Sequence, residues 1–440
     1  MKKIIIKSLL LTLTIAAMTA CTEKKAADPV AQAMQKVDSL FVDRYTPIDT
    51  MFAEPGGAVL IMKGDSILFD KGYGYSDLAR RYKIDGNTFF NIASCSKQFT
   101  AVAILKLAEE GKLDIKKSIY DVSPLVTPYL PKKKAPFTDI TPAHLMSHAS
   151  GIPDSRPRTD RHFMLTCTDM QSIEYMKGLK ELNFTPGTEY QYINPTFQLL
   201  YLFIEKLTGK GFEEYMKESI FTPARMLTTL YFSEENESKI PNMAHGYILE
   251  DGQETSSVDS DKPAGAVAAQ PEKKVDDGTP HSKFSECDYG EETFFATKAD
   301  GGIYTSTHEF AEWIKAMRDN KIIPQRAKEE AWSFINQVSG SKYSGYQNRD
   351  NTFYGYGWFL EQQPGFPKKV YHTGDNGGFQ IYEGFFPDAD LTVLVFENRN
   401  DKDRWDMVRK IDQILKDAGL MEPAKNDQQT SAPAESTKAE

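Results

Sequence analysis

A serine followed three residues later by a lysine can act as a nucleophile and its base, and Ser94-Cys95-Ser96-Lys97 is such a pair. Set at the start of a helix, the two side chains share one face, one turn apart. The helix N-terminus favours negative charge developing on Ser94 Oγ. A lysine desolvated beside it can lose its proton near neutral pH and work as a base. The spacing alone is a weak signal, because Ser339-Gly340-Ser341-Lys342 repeats it. That second copy lies in a run rich in Gly, Ser and Asn with no apolar helix after it, so nothing buries its lysine. Ser94 is the expected nucleophile. Two more groups could complete a site: Tyr192-Ile193-Asn194 ahead of an apolar run, and His372-Thr373-Gly374 before a glycine-rich turn. Singly, each reads as ordinary packing, a core tyrosine and a hydrogen-bonded strand histidine. Tyr346-Gln347-Asn348 repeats the tyrosine motif inside the second-copy loop.

Other hydrolytic chemistries find less support. His144-Leu145-Met146-Ser147-His148 has the i,i+4 spacing of a zinc pair, yet it lacks the glutamate of H-E-x-x-H and shows no third ligand. Those histidines read as hydrogen-bonding groups at a helix end, and neither a metal nor a cofactor is expected. A G-x-S-x-G elbow is missing, which argues against an α/β-hydrolase.

The elements that must hold these residues follow from pattern. Asp28-Pro29 reads as an N-cap and first helical residue, followed by Val30, Met34, Val37 and Phe41 at helical spacing. AVLIM, a turn at 63–66 and ILFDKGYGY form a hairpin pattern. Residues 97 to about 209 are mostly helical in pattern, and the run from Phe197 to Ile204 should end near Gly209 as a buried helix. Residues 256–283 are polar, a long excursion. Strand pattern returns at YGYGWFLEQ, KKVYHTG, FQIYEGFF and LTVLVFEN, and Trp405, Val408, Ile411 and Leu415 mark a last helix stopped by Gly419. Strands at both ends with helices between imply an α+β fold. An antiparallel sheet would join the termini, with an inserted, mostly helical lobe at roughly 97–300 and a cleft between the lobes.

Composition sets the outer bounds. The 440 residues are 40% hydrophobic and 26% charged, too apolar for disorder. Fifty-two basic against 62 acidic residues give a net charge of −10, which speaks against nucleic acid as a partner. Four cysteines cannot form a disulfide scaffold. Residues 1–20 have a basic start and a short apolar run, the proportions of a secretory signal. The sequence Met18-Thr19-Ala20-Cys21 resembles a bacterial lipoprotein processing site, which implies cleavage before Cys21 and lipid on its sulfur. Loss of three leader lysines would take the charge to −13. The expected plan is a leader at 1–20, a tether at 21–28, a catalytic domain at 29–420 and a loose tail at 421–440. The location would be the bacterial cell envelope, lipid-anchored on the periplasmic or extracellular side of a membrane.

Taken together and in order, the three motifs resemble the class C β-lactamase-like serine hydrolases, a family that includes D-alanyl-D-alanine carboxypeptidases, D-aminopeptidases and some esterases. GGAVLIMKGDSILFDKGYGYSDL, LAEEGKLDI, ITPAHLMSHASGIP, GGIYTSTHEFAEW and YHTGDNGGFQIYEGFFPD resemble the same family, over roughly residues 30 to 418. The resemblance implies Ser94 as nucleophile, Lys97 as its activator, and Tyr192 as general base for acylation and acid toward the leaving group. It implies that Asn194 orients Lys97 and holds a substrate amide, and that the backbone N–H groups of Ser94 and Asp375 form the oxyanion hole. His372 and Thr373, with Gly374 after them, would line the strand edge and meet a substrate carboxylate. Classical class C β-lactamases carry lysine where His372 stands, so a peptide or ester is as good a substrate as a β-lactam. The implied reaction is hydrolysis through an acyl-enzyme of a D-alanyl peptide, β-lactam, or ester or amide. The alternative is a penicillin- or peptide-binding lipoprotein that does not turn over, or deacylates slowly.

Overall fold

The computed structural model describes residues 28 to 423, apart from 158, 161, 162, 164, 165, 234 to 238, 241, 251 to 281, 288 to 296, 347 and 348. Cys21, the leader, most of the tether and most of the tail lie outside the described residues, as does nearly all of the expected polar excursion.

Helix α1 (Pro29–Arg44) starts where its capping residues dictate: Asp28 Oδ1 accepts from the Val30 N–H at 3.0 Å. The hairpin follows as β1 (Gly57–Lys63) and β2 (Ser66–Tyr73). Six further strands come late in the chain: β3 (Asn336–Gln337), β4 (Thr352–Tyr354), β5 (Phe359–Glu361), β6 (Lys369–Asn376), β7 (Phe379–Phe386) and β8 (Leu391–Glu397). They form one antiparallel sheet in the order β3-β4-β5-β6-β7-β8-β1-β2, so β1 pairs with β8 and the two ends of the chain share a sheet.

Alternation along β1 splits its side chains between two cores. Val59 and Ile61 join Val37 and Phe41 of α1 on one face, with Val408, Ile411 and Leu415 of the last helix, α5 (Arg404–Asp417). Ala58, Leu60 and Met62 face the other way, toward the helix Thr307–Arg318, here α4, whose Phe310 meets Phe396 edge-on at 5.5 Å. Helices on both faces explain why β8 is buried along its whole length.

Between β2 and β3 the chain forms the helical lobe. Its long members are α2 (Lys97–Glu109) and α3 (Asn194–Thr208), with short helices at Pro142–Met146, Asp169–Met176 and Phe212–Met216. Helix α3 ends at Gly209 in the left-handed region (φ +70°), where a side chain would be strained. A small sheet in the order Phe90–Asn91, Ile303–Thr305, Leu230–Tyr231 ties the entry of α2 to the run before α4.

Candidate active site

Ser94 does not sit in the α-helix, as its spacing implied. It lies in a 3₁₀ turn, Ala93–Ser96, that runs into α2. The difference serves the pairing, because side chains three apart eclipse in 3₁₀ geometry. Ser94 is half-buried, while Cys95 and Ser96 turn into the core. Ser96 Oγ accepts from the Ile303 N–H at 3.3 Å. Ala93 is held in the left-handed region (φ +46°), an unusual place for a residue with a Cβ. The Asn91 side chain braces it, accepting the Ala93 N–H at 2.7 Å.

Lys97 is fully buried, and its Nζ lies 3.0 Å from Ser94 Oγ and 2.8 Å from the Asp300 carbonyl oxygen. Burial pushes the ammonium pKa down to about 8, against the pull of Asp300. A neutral amine here donates one N–H to the Asp300 carbonyl and turns its lone pair to the Ser94 hydroxyl. The expected partner was Asn194. Instead Asn194 Oδ1 is buried without a hydrogen-bond partner, and a backbone carbonyl orients the lysine.

Tyr192, just ahead of α3, reaches the same point from within the helical lobe. Its ring centroid is 5.1 Å from Lys97 Nζ, and the Ser94 side chain lies close enough to favour the phenolate. Burial holds the phenol well above its usual range, against the opposing influence of Ser94, so the resting form is the neutral hydroxyl. His148, from the suspected zinc pair, lies tilted over the Tyr192 ring with centroids 4.2 Å apart, and its Nδ1 accepts from the Ile193 N–H at 3.3 Å. Its companion His144 accepts from the Thr141 N–H and caps its helix. Among the described residues there is no cluster of side chains suited to a metal.

Strand β6 lies flush against the nucleophile turn because residue 374 is glycine. A Cβ there would come within 2.2 Å of the Ile92 carbonyl oxygen. His372 is in the expected strand, buried on the side of Tyr192 with ring centroids 6.3 Å apart. It is 1% exposed; Nδ1–H donates to its neighbour's carbonyl at Thr373 (2.7 Å), which leaves Nε2 to accept from the Tyr354 hydroxyl at 3.0 Å. Burial, with Lys97 nearby, pushes its pKa down to about 3, so it is neutral and offers no charge to a substrate carboxylate. Thr373 is half-buried and Asp375 exposed, with the Asp375 carboxylate paired to Arg404 at the start of α5. The second Ser-x-x-Lys copy leaves Lys342 exposed over the Tyr343 ring, while Tyr346 of that loop packs beside Tyr192. Sequence reading assigned no role in the site to Asp300, His148 or Tyr354: His148 stood only as a helix-end histidine, Tyr354 only as a strand residue, and Asp300 lies just before the GGIYTSTHEFAEW stretch.

A family model described as Beta-lactamase matches residues 46–416. The chain is 25% identical over 355 residues to Penicillin-binding protein 4* of Bacillus subtilis, covering 78% of this chain and 68% of that protein. It is 27% identical over 352 residues to Protein flp of Staphylococcus aureus, covering 79% of this chain but only 60% of the relative. Among solved structures, the octameric penicillin-binding protein homologue from Pyrococcus abyssi superposes with a TM-score of 0.65 at 24% identity, over 89% of this chain and 77% of that one. The D-amino acid amidase from Ochrobactrum anthropi SV3 gives 0.64 at 19% identity, over 88% and 98%. These structural likenesses concern the fold.

Proposed function

Since the chain belongs to the beta-lactamase family, we propose that it is a serine acyl hydrolase whose nucleophile is Ser94 and whose base is Lys97. The observation that carries this reading is the buried Lys97 amine, 3.0 Å from Ser94 Oγ and with its pKa near 8. In the forward step Lys97 takes the Ser94 proton as Oγ attacks the substrate carbonyl. The carbonyl electron pair moves onto oxygen, held by the N–H groups of Ser94 and Asp375. Collapse of the intermediate expels the leaving group, which takes the Tyr192 proton, and that proton is replaced from the Lys97 ammonium. Water then releases the acyl group. The neutral Tyr192 suits it to relay a proton rather than to begin as a base.

The substrate class we propose is an amide or ester of an acyl group that carries no carboxylate beside the scissile bond. The position where classical class C β-lactamases carry a lysine holds a neutral, buried His372, and a D-aminoacyl amide or a short ester needs no cation there. Asn194, whose buried Oδ1 has no partner, would accept a substrate N–H. We also propose processing before Cys21 and a lipid anchor in the cell envelope, which intact mass of membrane-extracted protein tests directly.

The test of the hydrolase reading is labelling with a fluorophosphonate and a fluorescent penicillin, followed by peptide mapping. The label should map to Ser94 and vanish in Ser94→Ala. Label surviving in that variant, or none on the native protein, would end the proposal, while label that never decays would favour the binding-protein alternative.

A further inference from the structure

The carbonyl that orients Lys97 belongs to a short run of chain, 297–302, that has no regular structure. Left to itself such a run would wander, yet it is held at four other points. Asp169, the first residue of its helix, accepts the Lys298 N–H on Oδ2 at 2.7 Å and the Ala299 N–H on Oδ1 at 3.2 Å. The Ala299 carbonyl accepts from Thr100 Oγ1 at 2.8 Å, one turn along α2 from Lys97 itself. Asp300 Oδ1 accepts from Gln198 Nε2 at 3.1 Å, and Gln198 is in turn held by the Ser172 hydroxyl. Asp169, Thr100, Gln198 and Asp300 are all at most 2% exposed. Three helices therefore converge on one strand of backbone, which reaches the nucleophile pair through the Lys97 bond to the Asp300 carbonyl.

We infer that Asp169 and Gln198 are positioning residues for Lys97, setting its orientation and proton affinity through the backbone carbonyl of Asp300. The inference rests on the reading of Lys97 as base. The amine has three substituent directions besides its stem, and an acceptor fixed at 2.8 Å decides which of them faces Ser94 Oγ. The same carbonyl accepts better from the ammonium than from the amine, so its position also sets how readily Lys97 gives up a proton. A carboxylate is suited to the clamp because one group accepts two successive N–H groups. Burial and the neighbouring Asp300 push the Asp169 pKa up, while the two N–H bonds, one on each oxygen, favour the carboxylate. Arg156, Cys167, Tyr201 and Tyr231 also face this carboxyl pair. Arg156 is engaged by Asp154 at 2.7 Å, and the Lys298 ammonium is turned to Glu213.

The test is direct titration of Lys97 by its ¹³Cε shift in lysine-labelled full-length protein, with Lys97→Arg for assignment. Asp169→Asn keeps one acceptor and sets an amide N–H against a backbone N–H; Gln198→Leu removes the hold on Asp300 and leaves Asp169 untouched. In each, the Lys97 midpoint should fall by about half a unit or more as the ammonium loses its acceptor. Acylation of Ser94 by a fluorophosphonate, scored per folded molecule, should slow about tenfold or more. A packing role alone would lower Tm and leave the midpoint unmoved. An unchanged or raised midpoint with unchanged acylation in Gln198→Leu, which does not depend on Asp169→Asn folding, overturns the inference. If the native protein is not acylated at all, the hydrolase reading falls, while the titration still reports whether the clamp governs Lys97.

Discussion

At the residue scale, three protonation states decide what the site can do: an amine near its midpoint, a neutral phenol and a neutral imidazole. Lys97 must be unprotonated to accept the Ser94 proton, and its pKa is about 8. The rate of acylation should therefore climb as pH rises through about 8. His372, pushed down to about 3, stays neutral from pH 5 to 9 and should add no second step to that profile. A kcat/KM profile for one neutral ester checks both, and a step near pH 6.5 lost in His372→Gln would contradict the assignment. Placing a lysine at this position should harm the protein. His372→Lys would place an ammonium where only the Tyr354 hydroxyl and a backbone carbonyl await it. A loss of about 3 kcal/mol or more is expected in urea unfolding. Tyr192→Phe tests the relay: it should slow acylation about 10²-fold or more, and the loss should be less than additive with Lys97→Ala. Equal rates in Tyr192→Phe and the native protein would leave Tyr192 as a wall of the site.

At the element scale, the site depends on how closely β6 approaches the Ala93–Ser96 turn, and Gly374 permits that approach. Both neighbours of the missing Cβ are backbone or a backbone-bound methyl: the Ile92 carbonyl oxygen at 2.2 Å and Ala93 Cβ at 3.2 Å. Neither can swing aside. Gly374→Ala should force the strand off the turn, with a stability loss of about 1–3 kcal/mol. Because a displacement on the order of 1 Å can cost about 10²-fold in rate, acylation should fall further than stability does. A variant with a lowered Tm and native acylation per folded molecule would mean that the β6 backbone takes no part in the reaction. The strands and helices themselves were largely legible in the sequence. Asp28-Pro29, the Lys63–Ser66 turn and Gly209 each carry a local rule about where an element begins or ends, and each boundary falls there. The pairing of Ser94 with Lys97 was legible for the same reason. The hold on Lys97 was not, since a backbone carbonyl at residue 300 carries no mark in the side-chain sequence. His372 was placed on the right strand, but which way its ring turns depends on Tyr354, two strands away, and no local pattern encodes that contact.

At the scale of the whole molecule, two lobes meet at the site, and their relation decides whether the site can fail before the fold does. One hydrophobic core runs through both. It takes Leu60, Met62, Phe385 and Phe396 from the inner face of the sheet, and Phe197, Leu200 and Phe203 from α3 in the helical lobe. At the junction, Gln98 Oε1 accepts from the indole N–H groups of Trp313 at 2.7 Å and Trp358 at 3.1 Å, while its Nε2 donates to the buried Glu383. An apolar core shared in this way gives neither lobe a surface on which to separate without exposing the other. Unfolding should therefore be one cooperative transition, with the helical lobe unable to melt alone. Far-UV circular dichroism, tryptophan fluorescence and fluorophosphonate labelling should then give the same urea midpoint. Fluorescence is a sharp reporter here, because two of the four tryptophans share the Gln98 acceptor at the seam. Labelling lost well below the midpoint of the other two signals would show instead that the lobes part first. In that case the cleft is a weakly held joint, and the lysine clamp, which spans the helical lobe alone, would outlast the contact between Gly374 and the nucleophile turn.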